Sequence, residues 1–178
     1  MKECSHFNPG DEIYLSFFEC LKCGKRKRPV KKQTDPRMHS AEHILNQTLD
    51  RMFKCGRCFN AHIEKKKSKC DYRFHRQLTQ RELEDIQTRV NQVIADNLPV
   101  TEEKVSHAEA LKKYNTDKLP ENAGDAIRII HIGDYDACPC VGDHVESSGE
   151  IGGFRITTAG FDNDVLRIRF KLNPPDAK

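Results

Sequence analysis

The chain lacks any apolar run approaching the roughly 20 residues that a bilayer-crossing helix needs. It also lacks an apolar segment behind Met1-Lys2-Glu3-Cys4-Ser5-His6. A signal peptide would require one, so the expected location is the cytoplasm. There is little charge imbalance: 30 Lys and Arg against 27 Asp and Glu give a net +3, too weak a global field to name a partner. No internal repeat is visible. Of 178 residues, 37 % are hydrophobic and 32 % charged. That describes a soluble, rather polar protein with enough chain for one core and a small appendage.

Cysteine is plentiful: there are eight, most in the short-spaced pairs Cys20/Cys23, Cys55/Cys58 and Cys138/Cys140. In a reducing compartment such pairs point to metal more often than to disulfides. Residues 1–33 carry C-x-H at Cys4 and His6 and C-x-x-C at Cys20 and Cys23. The Cys23-Gly24-Lys25 ending resembles a zinc knuckle, and four N/S ligands would make a closed structural zinc site. So short a segment buries little apolar surface, so the metal would supply its folding free energy. A rival pairing joins Cys20/Cys23 to Cys55/Cys58, and the spacing does not choose between them. Two basic clusters follow. Lys22 to Lys32 holds seven cations, among them Lys25, Arg26, Lys27 and Arg28, and Lys65 to Lys69 holds four, including Lys66. Either can lie along a phosphate backbone or be a solvated loop.

The strongest chemical pattern is split across the chain. In Met38-His39-Ser40-Ala41-Glu42-His43 two histidines stand four residues apart on an expected helix, so both imidazoles face the same side. About a hundred residues later, Cys138-Pro139-Cys140-Val141-Gly142-Asp143-His144 supplies C-x-x-x-H. The set His39, His43, Cys140 and His144 suits borderline-soft Zn²⁺.

H-S-A-E-H followed by C-P-C-V-G-D-H-V-x-x-S-G-E-I-G-x-F resembles the free-standing alanyl-tRNA editing proteins. These are related to the editing domains of alanyl- and threonyl-tRNA synthetases. The resemblance runs from about Arg37 to Leu172. It implies an α+β domain over residues 34–178, with an antiparallel sheet curled around a central helix, and a trans-acting, zinc-dependent deacylase of mischarged aminoacyl-tRNA. Ser-tRNA specific for alanine is the expected substrate, and tRNA is the partner. One zinc ion would sit at the editing site and a second, structural one at the N-terminal segment. His39, His43 and His144 would be catalytic. Asn60, His62 and Asp71 from the sheet and Asp143 beside the metal turn are pocket candidates, and Lys25–Arg28 and Lys66 are candidates for phosphate contact. The alternative is a zinc-stabilised RNA-binding module that keeps the editing fold without turnover.

Four protein ligands would close a tetrahedral site, whereas catalytic zinc keeps one position open. His144 is therefore the expected loose fourth ligand, available as an acid or base. Asp143 departs from the family's usual Thr or Pro; it either orients a ligand imidazole or is a solvent-facing turn former.

Periodicity and caps place the remaining elements. Thr34 or Asp35 caps a helix opened by Pro36 and ending near Lys54. Phe59–Ile63 and Cys70–Phe74 form a hairpin. Thr79 and Glu82 make a capping box for a long helix with Leu83, Ile86, Val90, Val93 and Ile94 as its apolar stripe. Val100–Val105, Ala126–Ile132, Gly153–Thr158 and Val165–Leu172 read as strands, Ile13–Phe18 as another, and Ser106 caps a short helix.

Overall fold

The computed structural model describes residues 35–116, 119, 124 and 126–173, together with the backbone of two short paired strands, β1 (Phe18–Glu19) and β2 (Arg26–Lys27). The chain divides into two units, Met1–Gln33 and Thr34–Lys178. Cys4, His6, Cys20, Cys23, Lys25 and Arg28 lie outside the described residues, as does nearly all of the strand expected over residues 13–18.

The second unit opens with helix α1 (Pro36–Phe53). Asp35 starts it: its carboxylate accepts from the backbone N–H groups of Arg37 and Met38 at 3.0 and 3.3 Å, which satisfies donors that the first turn leaves without intrahelical acceptors. Pro36 fits because the first helical position needs no N–H. Lys54 ends the helix in the left-handed conformation. Ten of the 18 residues of α1 are buried, and they are not confined to one stripe. An element covered on several sides is a central helix, and the other elements assemble around it.

Strands β3 (Asn60–His62) and β4 (Ser68–Arg73) make the expected hairpin. Helix α2 (Gln80–Ala95) carries the capping box from Thr79 and Glu82. Strand β5 (Val100–Ser106) leads into helix α3 (His107–Lys113), capped by Ser106, and then come β6 (Ala126–Ile132) and β7 (Asp136–Pro139). A single 3-10 turn (Ser148–Ile151) precedes the closing hairpin of β8 (Phe154–Asp162) and β9 (Val165–Leu172). That hairpin turns on Asn163 and Asp164, both with positive φ, as a two-residue turn matching the strand twist requires. Asp162 and Val165 are the pair that closes the ladder.

The architecture is α+β with antiparallel sheets. The second unit holds two sheets where one was expected: a four-stranded sheet in the order β3-β4-β9-β8 and a three-stranded one in the order β5-β6-β7. The strand ending at Ile132 does not run straight into the Cys140 turn. It reverses at Gly133–Tyr135, and β7 pairs back on β6. One large core joins Ile44, Leu45 and Leu49 of α1 to Tyr72, Ile168 and Phe170 of the four-stranded sheet and to Ile86 and Val90 of α2. Ile44, Leu45 and Leu49 are completely buried. Truncating such a residue to Ala costs about 2–5 kcal/mol.

Candidate metal centre

Three contacts dock the C-terminal half of α1 against the turn between β6 and β7. The hydroxyls of Thr48 and Tyr135 are 2.8 Å apart, Arg51 donates to the Tyr135 carbonyl at 2.7 Å, and the Arg51 guanidinium stacks over the Tyr135 ring. Arg128 of β6 then holds the loop beyond β7, donating to the carbonyls of Cys140 and Gly142 at 3.2 and 2.8 Å. Helix and loop are thereby set face to face. The donor atoms of His39, His43, Cys140 and His144 all lie within 4.8 Å of one another.

The Cys140 sulfur is 3.4 Å from Nε2 of His39 and 3.4 Å from Nε2 of His144. The rings of His39 and His144 stack at 4.3 Å, and His43 meets both edge-on. The Nδ1 atoms are occupied elsewhere. That of His39 lies 3.2 Å from the Asp143 carbonyl, that of His144 lies 3.0 Å from the Ser40 hydroxyl, and that of His43 lies 3.2 Å from an Asp136 carboxylate oxygen. An Nδ1–H held by an acceptor leaves the Nε2 lone pair free, which is how ligand histidines are oriented in metal sites. A tetrahedral zinc ion with Zn–N near 2.0–2.1 Å and Zn–S near 2.3 Å separates nitrogen from sulfur by roughly 3.6 Å. The donor types and their spacing fit that ion.

The electrostatics favour a charged sulfur at Cys140. Burial pushes the Cys140 thiol up, but hydrogen bonds from His144, His39 and His43 overcome it and hold the group down to about 2. The ligand is a thiolate, the form that binds metal. Burial pulls His144 down to about 4 against the opposing attraction of Cys140. Burial acts the same way on His43, yet Cys138 and Asp136 raise it well above its ordinary value. Asp136 is itself buried, which pushes its carboxyl up, but His43 and Arg57 hold it at about 2. Arg57 grips Asp136 through both guanidinium nitrogens at 2.6 and 3.2 Å.

The four expected donors are thus brought together. Asp143 serves through its backbone, whose carbonyl faces His39. Gly142 permits this approach, since a Cβ there would overlap the His39 ring. The sheet candidates are placed elsewhere. Asn60 donates to Asp71 at 3.1 Å, and Asp71 receives two bonds from Arg167 at 2.6 and 2.8 Å. His62 lies 2.8 Å from Glu64. Among the described residues, no hydrogen bond or ion pair links these three to the four donors. Cys58 is buried behind α1, where its thiol donates to Glu42 at 3.1 Å.

Sequence reasoning missed Arg57, Asp136, Ser40 and Arg128. Ser40 and Asp136 sit inside or beside the motifs and could have been nominated as supports for a ligand. Arg57 and Arg128 carry no local signal, because only the fold brings them to the site.

Residues 127–169 match the family described as threonyl and alanyl tRNA synthetase second additional domain. The chain is 32 % identical over 130 residues to the alanine–tRNA ligase of Fervidobacterium nodosum, covering 72 % of this chain and 15 % of that protein. It is 30 % identical over 143 residues to that of Pseudothermotoga lettingae (78 % and 17 %) and 34 % identical over 127 residues to that of Coxiella burnetii (68 % and 14 %). The chain therefore spans about a sixth of the length of these relatives. Motifs, fold and relatives agree that the chain carries an editing domain like that of the free-standing alanyl-tRNA editing proteins, related to the alanine–tRNA ligases.

Proposed function

We propose that the protein is a zinc-dependent hydrolase that clears mischarged aminoacyl-tRNA, Ser-tRNA specific for alanine above all, acting in trans in the cytoplasm. The observation that carries this reading is the convergence of three imidazoles and one thiolate from segments a hundred residues apart, with every Nδ1 held from behind. His39, His43 and Cys140 are the residues that would hold the ion, with His144 as the looser fourth. When bound, zinc supplies Lewis-acid chemistry to the ester. In hydrolysis, water adds at the carbonyl carbon, the bond to the terminal ribose oxygen breaks, and that oxygen takes up a proton. His144 Nε2 is the group placed to move that proton, with Ser40 fixing its ring. Asp136 and the Asp143 carbonyl keep His43 and His39 pointed inward. The N-terminal Cys/His segment, residues 1–33, is assigned a second, structural zinc ion held by Cys4, His6, Cys20 and Cys23.

The test is incubation of purified protein with Ser-, Ala-, Gly- and Thr-charged tRNA, with and without a chelator. Chelator-sensitive release of one amino acid supports the reading and names the substrate. No release from any of them, with zinc bound and the fold intact, replaces it with a non-catalytic RNA-binding module.

A further inference from the structure

The four-stranded sheet has two unlike faces. One is the core face, built from Leu166, Ile168 and Phe170 of β9 and Cys70 and Tyr72 of β4, all completely buried. Strand periodicity sends the intervening residues to the other side. There the register sets Lys69 opposite Arg169, Asp71 opposite Arg167, and Arg155 opposite Lys171, with Arg73 at the end of β4. Asp71 accepts both bonds from Arg167. Lys69, Arg73, Arg155, Arg169 and Lys171 form no ion pair among the described residues. Arg73, Arg155 and Lys171 on this face are exposed. The exposed lysines 65, 66 and 67 of the β3–β4 turn extend it at one end. At the other, the half-exposed Phe59 lies under the Arg73 guanidinium, 4.6 Å from ring centroid to carbon.

We infer that this basic sheet face is the surface on which the protein seats the phosphate backbone of tRNA. Alternate residues on a strand lie about 6.5–7 Å apart and neighbouring strands about 4.8 Å apart. The face is therefore a fixed lattice of cations, unlike a flexible basic tail. Cations so spaced and without carboxylate partners fit a polyanion, and neutralising phosphates releases counterions. Phe59 adds a flat apolar surface beside a cation, the combination that stacks on an unpaired base. The face also has an end near the chemistry. Phe59 is two residues from Arg57, which bonds Asp136 beside His43. The inference rests on the aminoacyl-tRNA reading for the identity of its partner and adds where that partner lies.

The experiment measures binding of uncharged tRNA across a salt series, separately from hydrolysis. Three proteins are compared: wild type, the triple variant Arg155→Glu, Arg169→Glu, Lys171→Glu, and a control reversing Arg81, Lys104 and Lys112. The control changes net charge equally at exposed positions off this face. The face variant is expected to bind at least about tenfold more weakly near 0.1 M salt. Its slope of log affinity against log salt should fall by about 2–3, because each lost phosphate contact removes about 0.7–0.9. The control should change both far less. Equal losses in the two variants, or none in either, overturn the inference, as does equal binding of polyglutamate and tRNA by wild type. Thermal melting and zinc content verify that each variant is folded, and neutral Gln replacements at the same three positions substitute if the Glu triple fails to fold. Failure of the function itself reads out differently: wild type then binds tRNA through this face but releases no amino acid from charged tRNA.

Discussion

Two of the sulfur-bearing clusters that include residues of helix α1 start from adjacent residues, and they are built in opposite ways. His43 faces Cys140, His39 and His144. Glu42, the residue before it, faces Cys58 and Cys70, with donor atoms also within 4.8 Å of one another. The second cluster is fully buried and closed by its own hydrogen bonds. Asn46 donates to Glu42 at 2.6 Å, Cys58 donates to the same oxygen, Cys70 bonds to Cys58, and Tyr72 donates to Asn46 at 2.9 Å. Cys70 is pushed well up by its bond to Cys58 and by burial. In the first cluster each Nδ1 is held from outside the ring, and Nε2 of His39 and of His144 turns inward to the Cys140 sulfur. Similar atoms at similar spacing make a polar core in one place and a metal-capable centre in the other. The difference is where the protons are held.

The largest expected effect comes from removing a donor of the first cluster. Cys140→Ser or His39→Ala should abolish hydrolysis and reduce zinc affinity by more than the roughly 10–100-fold that loss of a supporting hydrogen bond costs. Both should leave the metal-free melting temperature near that of wild type. A large fall in that temperature instead would make the site structural. Next comes Asp136→Asn, which removes the acceptor that Nδ1 of His43 faces. Zinc affinity, measured by competition with a chromophoric chelator, should fall about 10–100-fold. Gly142→Ala should act in the same direction by displacing the His39 ring. Replacing Cys58 with Ala attacks the other cluster. It should cost about 1–3 kcal/mol of stability, because Glu42 loses a buried donor, while the number of zinc ions per chain stays the same. Loss of one zinc equivalent would erase the contrast between the clusters. The smallest effect concerns Asp71. Its bonds to Arg167 outweigh burial and hold its carboxyl below the ordinary carboxylate value. The stability it contributes is present above that value and is lost as pH falls through and below it. Asp71→Asn should therefore flatten the acid limb of a urea-midpoint profile and leave the midpoint at pH 8–9 with little pH dependence.

Much of this arrangement was legible without coordinates. His39 and His43 are four residues apart, and helix geometry alone puts them on one face. The capping box at Thr79 and Glu82, the cap at Ser106 and the β-rich run of Ala126–Ile132 are local signals, and the elements formed where those signals lie. The missing second sheet has a local cause as well. Strand β7 is only four residues long, two of them Cys138 and Pro139, so neither length nor β propensity marked it. Asn60 and Asp71 were pocket candidates because the family resemblance implies that this part of the sheet lines the pocket. Register decides which face such residues occupy, and it puts both on the outer face with Arg167. Arg57 was hidden for a different reason. The Cys55–Cys58 turn looked like a metal pair, but Asn46 accepts from the Cys58 N–H at 3.1 Å and Asp50 from the Gly56 N–H at 3.0 Å. These side chains from α1 fold the turn back as a strap that delivers Arg57 to Asp136.

The separation between the two halves of the donor set bears on how the molecule is made. His39 and Cys140 are 101 residues apart in the chain, and closing a loop of that length is entropically unfavourable until the intervening elements have condensed. During synthesis α1 emerges long before β7 and the loop that follows it. Of the four donors of this centre, a ribosome-bound chain ending before Cys140 has only the two helix histidines, and those bind weakly alone. Tight uptake of the proposed zinc ion at this site would thus report that the second half of the domain has been made and has docked, tying loading of the metal to completion of the fold.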